Sequence, residues 1–393
     1  MASVNLTAAV RQNLLSLQDT ASLTATTQNR LSTGLKVASA LDSPVNYFTS
    51  RSLSNRASDL GGLLDSISNG VQTIQAANQG ITSIQKLIDS AKSTANQALS
   101  TQLSTTGTAS TAFAAPSSNT TVKFYVNGTA KSASLTTSDT IDTAIATLNT
   151  QAGSTMFSKD TTGKKIVLNS SADVEFATTA DQTTLGFTAG TGSSTTAKYG
   201  TGNDAVGQSA DLTVAGVDTR AKLADQYNAL LTQITQLAKD SSYNGVNLIS
   251  NGDTSNKLHI AFNEKDTANL DVQGQDLTSD GLKLSSITLG TSGTGKFLLD
   301  TDINSTIKSL GTASDTLRAA SSTFGSNLSV VQNRQDFTKQ VINVLNQGAS
   351  NLTAADLNEE AANSQALTTR QSLGISALSL ANQAQQGILQ LLR

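Results

Sequence analysis

Few residues in this chain could carry chemistry, and their types narrow it quickly. The 393 residues include no Cys, no Trp and one His. Thiolate nucleophiles, disulfides and Cys-based zinc sites are therefore excluded. The one His, His259, sits in Lys257-Leu258-His259-Ile260-Ala261, which alternates as a strand does. A His-Glu-x-x-His zinc site needs two imidazoles one helical turn apart, and no second imidazole exists. Glu359-Glu360 and the pair Asp300 and Asp302 could serve as general acid and base only if their surroundings drove their pKa values apart. Their polar flanks read instead as solvated faces. The glycine runs at 190–192 and 290–295 lack the strand-to-helix setting of a phosphate cradle and read as loops. Seven Asn-x-Ser/Thr triplets, Asn119 and Asn127 among them, are no more than so much Ser and Thr yields by chance. The expectation is a protein without catalytic, cofactor or metal residues.

What the chain has in abundance is helix-spaced apolar residues with little charge. Charged residues make up 14 % and the formal net charge is -3, which excludes a basic nucleic-acid surface. The opening MASVNLTAAVRQNLL lacks the basic stretch and apolar core of a secretory signal, and no apolar run of about 18 residues could span a bilayer. Only Pro44 and Pro116 interrupt long stretches free of helix breakers.

Both ends read as helices, over residues 1–41 and 355–393. Val10, Leu14, Leu17, Ala21, Leu31 and Leu35 recur at steps of three and four, with Thr24 and Gln28 as polar interruptions. Near the other end, Ala377, Ala381, Ala384, Ile388 and Leu391 mark one seam, and Ile375, Leu378, Leu389 and Leu392 another. No charged residue stands between Arg370 and Arg393. A helix apolar over so wide an arc requires several neighbours. Ordering one residue costs about 1.5 kcal/mol, and a buried Leu returns about 2 kcal/mol, so the sparse seams of each end call for burial in a multi-chain core. Pairing of the two ends within one monomer fits the pattern equally well.

The rest divides into a helical rod (42–105 and 208–354) and an inserted α+β domain (106–207). Leu60, Leu64, Ile67, Val71, Ile74, Ile81 and Ile88 continue a seam after a pause at Asp42-Ser43-Pro44. Val122–Val126 followed by Asn127-Gly128 reads as strand and turn, Thr140–Leu148 as helix, and Lys165–Leu168 and Val174–Ala177 as strands, with a Gly/Ser/Thr exit near 188–202. A helix over Asp218–Lys239, with Asp218 as its cap, precedes a hairpin region at 244–300 with turns at Asn244-Gly245, Asn251-Gly252 and Asp280-Gly281. A last long helix from Ile303 through Leu345 breaks near 348–352. The fold class expected is mainly α: long antiparallel coiled-coil helices from both chain ends, a β-rich hairpin region and a small inserted α+β domain.

Particular motifs resemble those of bacterial flagellins, of the alphaproteobacterial type. They are Asn29-Arg30-Leu31-Ser32-Thr33-Gly34-Leu35-Lys36-Val37, Gln75-Ala76-Ala77-Asn78-Gln79-Gly80-Ile81, Tyr243-Asn244-Gly245-Val246-Asn247-Leu248-Ile249, and the ending from Ala381 to Arg393. The resemblance covers roughly the first 100 and last 175 residues. Where many members have Pro, Ala384 stands, which favours an unbroken helix. Asp89-Ser90-Ala91-Lys92-Ser93 departs from the Arg-x-Arg-Glu pattern that animal innate receptors read in some members.

The resemblance implies a homopolymer of many identical subunits forming an extracellular filament for swimming, with the paired ends at its inner core. It also implies a chaperone on the C-terminal segment before type III export, and cap and junction proteins at the filament's ends. Subunit-interface candidates are Val10, Leu14, Leu17, Arg30, Leu31, Leu35, Leu373, Leu378, Ala381, Ile388, Leu392 and Arg393, with the two arginines fixing register. Other readings are a hook–filament junction protein, which shares related ends, or a cytoplasmic coiled-coil scaffold.

Overall fold

The computed structural model of the chain describes residues 8–190, 209–287, 297 and 299–391. In chain order, α1 spans Ala8–Thr33 and α2 Pro44–Ser100. An α+β stretch follows: β1 (Ser104–Thr108), β2 (Thr120–Val126), β3 (Thr129–Leu135), α3 (Ile141–Ala152), β4 (Phe157–Lys159), β5 (Ile166–Ser170), β6 (Val174–Phe176), α4 (Thr179–Thr184) and β7 (Leu212–Ala215). Then come α5 (Val217–Asp240), the short pairs β8 (Ser242–Tyr243) with β9 (Val246–Asn247) and β10 (Lys257–Ala261) with β11 (Asn269–Gln273), and finally α6 (Asp300–Thr353) and α7 (Leu357–Leu391). The chain is thus mainly helical, with long helices toward both ends and a strand-rich centre.

Two compact units divide it. One holds Met1–Ser68, Ile260–Asn269 and Gln332–Arg393; the other holds Asn69–His259 and Leu270–Val331. In the second unit, the later part of α2 buries Val71, Ile74, Ala77, Ile81, Ile84, Ile88, Ala91, Ala95 and Ala98 at alternating short steps. Leu223, Ala224, Tyr227, Leu231 and Ile234 of α5, and Ile303, Leu310, Leu317 and Phe324 of α6, are buried in the same unit. Gln85 Nε2 donates to Ser314 Oγ at 2.9 Å between α2 and α6. Arg220, at the start of α5, donates to the Thr101 carbonyl at 2.9 Å and pairs with Asp300 at 2.8 Å. One guanidinium therefore ties together the end of α2 and the beginnings of α5 and α6.

The inserted segment folds around its own core. Phe124, Phe157, Phe176 and Phe187 pack with Val122, Leu135, Leu148, Ile166 and Leu168 beneath a three-stranded sheet (β3-β2-β6) and a four-stranded one (β4-β5-β1-β7). The β2–β3 hairpin turns on Asn127 and Gly128 (φ 45° and 76°), the left-handed pair a two-residue hairpin requires. Helix α3 is capped by Thr140 Oγ1, which accepts from Thr143 N. Strands β1 and β7 pair antiparallel with Ser104 opposite Ala215, so the insertion leaves and rejoins the chain at one place. The four-stranded sheet thus draws on residues from 104 to 215, against the 106–207 read from composition. Much of the expected exit at 188–202, and the glycine run at 290–295, lie outside the described residues.

Three local readings are corrected. Helix α5 is capped by Gly216, not Asp218. Its φ is 87°, and an added Cβ would collide with the Gln102 carbonyl oxygen, so the β1–β7 closure leaves room only for glycine there. Helix α6 runs through 348–352 and ends at Thr353, because Gly348 faces the Leu53 side chain and Ala349 is buried, packing that offsets a glycine's poor propensity. In the Asp280-Gly281 turn the left-handed residue is Lys283 (φ 56°), while Gly281 is required by the close approach of Asp276. The Gly216→Ala variant is expected to lose about 2 kcal/mol of stability in urea unfolding followed by far-UV circular dichroism.

Candidate subunit interface: the terminal helix pair

Helix α1 has no Gly or Pro between Ala8 and Thr33 and ends where Gly34 turns left-handed (φ 70°), its N–H donating to the Arg30 carbonyl at 2.8 Å. The next residues pair with the chain just before α7. Leu35 bridges Ala354, Lys36 N donates to the Thr353 carbonyl at 2.7 Å, and Ala355 N donates to the Gly34 carbonyl at 2.9 Å. Helix α7 then opens on Asp356, whose Oδ1 accepts from Asn358 N at 2.9 Å and Glu359 N at 3.3 Å. Helix α2 begins at Pro44, where a missing N–H costs nothing. Before it, Asp42 accepts from the backbone and hydroxyl of Ser39 and from Ala38 N, bonds that hold its carboxyl below the ordinary range.

Helices α1 and α7 lie antiparallel. Leu35 meets Ala354, Arg30 meets Glu360, and Gly374 lies so close to Leu17 that an added Cβ would sit 2.7 Å from a Leu17 methyl. The covered positions step by three and four along both helices. On α1 they are Val10, Asn13, Leu17, Thr20, Thr24, Thr27 and Arg30; on α7, Glu360, Ser364, Leu367, Gln371, Gly374, Leu378 and Ala381. This facing surface is largely polar or small. Thr20 is 3 % exposed, yet its hydroxyl donates to the Ser16 carbonyl of its own helix at 2.7 Å, as Thr24 does to Thr20 at 2.7 Å. Such back-bonding satisfies a buried hydroxyl without any bond to the partner helix.

Most of the large apolar side chains lie elsewhere. Leu14, Leu15, Leu23 and Leu31 of α1 and Leu357, Leu373 (66 % exposed), Ile375 and Leu380 of α7 are exposed. So are Leu35, Leu41 (96 % exposed), Val45 and Phe48 near the junction, and Phe337 and Val344 on α6. Among the described residues, every exposed large apolar side chain except Tyr243 and Val330 falls in this unit.

The interface candidates therefore separate. Val10, Leu17, Arg30, Leu378 and Ala381 lie on the face between the two helices, while Leu14, Leu31, Leu35 and Leu373 are exposed. Ile388 falls within α7, and Leu392 and Arg393 lie outside the described residues. The seam read through Leu14, Leu31 and Leu35 is thus rotated in the fold toward Asn13, Thr20 and Thr27, since the helix pair turns its smaller face inward. Sequence reasoning missed Leu15, Leu23 and Leu380, whose signal is an apolar residue one step off the heptad phase.

It also misread the carboxylates. Glu360, which its sequence context places on a solvated face, is 7 % exposed and bridged to Arg30 at 3.1 Å, because the junction clamp draws the first turn of α7 against the last turn of α1. Burial likewise raises the pKa of Asp302. His259 is exposed and its Nδ1 lies 2.5 Å from Asp271 Oδ1, a surface pair on the β10–β11 hairpin. Among the described residues no three His, Cys, Asp or Glu side chains gather as a metal site, and no helix is long and apolar enough to cross a membrane.

Both ends of the chain match family models. The family model for the bacterial flagellin N-terminal helical region matches residues 4–115, and that for the C-terminal helical region matches residues 307–392. Flagellin FljM of Caulobacter vibrioides is 31 % identical over 196 residues, covering 48 % of this chain and 68 % of that one. The chain belongs to the bacterial flagellin family. A flagellin of Brucella melitensis is 25 % identical over 185 residues (46 % and 64 % of the two chains), and flagellin C of Rhizobium meliloti is 36 % identical over 75 residues (19 % and 23 %). A flagellin is a structural protein of the extracellular flagellar filament, not an enzyme, and it polymerises. The cytoplasmic scaffold reading falls with that.

If the polar seam limits pairing of α1 with α7 within one chain, replacing its hydroxyls should strengthen it. The double variant Thr20→Val and Thr27→Val is expected to stabilise the isolated chain's helix pair by about 1 kcal/mol per site, seen as increased helical circular dichroism before assembly.

Proposed function

We propose that this flagellin is the bulk filament subunit and that its terminal helix pair is the assembly element, completed only by neighbouring copies of the same chain. One observation carries the reading: the pair turns mainly Thr, Ser, Asn, Gln and Gly inward, beside Val10, Leu17, Leu367, Leu378 and Ala381, and leaves Leu14, Leu15, Leu23, Leu31, Leu373, Ile375 and Leu380 exposed. Burying each of these against a neighbour is worth about 2 kcal/mol, so the energy that orders the helices is released between subunits. The helices then fold as they assemble, and their three-and-four spacing gives them coiled-coil packing in an inner core of residues 1–41 and 355–393. In this core Leu14, Leu31, Leu35, Leu373, Ile388 and Leu392 touch neighbours. Val10, Leu17, Leu378 and Ala381 hold the pair itself, and Arg30 and Arg393 set register.

Residues 42–105 and 208–354 form the surrounding rod and the domain at 106–207 the outer surface. Before export a chaperone covers the exposed apolar residues of α7, and cap and junction proteins bound the filament. The aligned relatives named above are flagellins, which favours the bulk subunit over the junction protein.

The test is elongation from short filament seeds, viewed by negative-stain microscopy. The full chain is expected to form long filaments and a chain ending before Ala355 none. The double variant Leu31→Ser and Leu373→Ser should raise the critical concentration at least about tenfold. Normal elongation by the truncated chain would overturn the proposal, and a full chain that never elongates beyond a short stub would mark the junction protein.

A further inference from the structure

The same polar seam that makes the helix pair weak also makes its alignment ambiguous. Thr20, Thr24 and Thr27 recur every three or four residues on α1, opposite Gln371, Leu367 and Ser364 at matching steps on α7. Because Thr20 and Thr24 bond to their own helix, they make no demand on which residue stands opposite. Sliding one helix by seven residues would still bring like groups together, Asn13 opposite Gln371, Leu17 opposite Leu367 and Thr20 opposite Ser364. In helix pairs of this periodicity, alignment is set by the few positions that cannot tolerate a wrong partner.

The pair has two such positions. At one, Leu17 fits against Gly374, where any side chain would crowd it. At the other, Arg30 Nη1 lies 3.1 Å from Glu360 Oε1, the carboxylate side chain being 9 % exposed. A seven-residue slip would leave Glu360 covered without its cation, which costs far more than an exposed pair gains. This ion pair stands within one turn of the backbone clamp of Gly34 with Ala355 and Lys36 with Thr353. Between Val10 and Arg30 on α1, and between Glu360 and Ala381 on α7, no other covered position is charged.

We infer that Arg30–Glu360 is the register lock of the terminal helix pair, and that the pair closes from this junction toward the chain ends. The inference rests on the assembly role proposed above and adds Glu360 to it as a positioning residue. Clamp and ion pair align the first turns, the Leu17–Gly374 fit checks the alignment near the middle, and the outward leucines of each copy then meet their neighbours in phase. A pair closed in the wrong register would rotate or shift those leucines out of step and stop the next subunit from docking.

Charge exchange tests this with the full chain and wild-type seeds. Arg30→Glu and Glu360→Arg, made singly, are each expected to slow elongation at least about tenfold, and the double exchange R30E/E360R to restore it to within a few-fold of wild type. A distance readout from spin labels at the exposed positions 12 and 379 should show one distance for wild type and the double exchange and a broadened distribution for each single variant. Single variants that elongate at the wild-type rate, or a double exchange no better than the singles, would overturn the lock. Failure of the unaltered chain to elongate would instead refute the assembly role itself, so the two failures are told apart.

Discussion

Everything else in the terminal unit depends on which side of its helices faces inward. The contact between α1 and α7 is built from threonines that hydrogen-bond to their own backbone, a glycine, side-chain amides and a few apolar residues. Such a surface lets two helices approach closely and satisfies its buried hydroxyls locally, yet it releases little hydrophobic free energy. Most of the leucines that could supply that energy are on the outside. A helix pair constructed this way is a half-finished core. Flagellins polymerise, and copies of the same chain are the proposed other half.

Other features of the unit serve that pair. Gly34 ends α1, three backbone hydrogen bonds tie residues 34–37 to residues 353–355, and Asp356 starts α7, so both helices leave the junction side by side. In the second unit the balance is reversed. Its helices bury isoleucine and alanine stripes that are almost wholly inaccessible, and the inserted domain closes around four phenylalanines. These parts carry their own cores and need no neighbour to complete them. The contrast between a finished core and an unfinished one within a single chain matches a subunit that keeps one folded portion and orders another on joining a polymer.

Much of this was legible in the residues. Periodicity located every long helix, Asn127-Gly128 and Asn244-Gly245 gave their turns, and the signatures at both ends pointed to the family. What escaped was rotational phase and fine closure. A seam read from Leu14, Leu31 and Leu35 assumes that these apolar residues face the nearest helix; here they are exposed, and Asn13, Thr20 and Thr27 face it. Glu360 was unreadable as a buried ion-pair member because Arg30 is far away in sequence and meets it only through the junction. Gly216 as a cap follows from the return of β7 beside β1, a pairing across more than a hundred residues that no local pattern announces.

Amide hydrogen exchange, measured on the unassembled chain and on filaments, tests the central claim most directly. The account predicts that amides of 8–33 and 357–391 exchange quickly in the unassembled chain, while those of 71–98 are protected, and that all three stretches are protected in filaments. Terminal helices protected as strongly as residues 71–98 before assembly would show that the pair is a complete core on its own and would contradict the account.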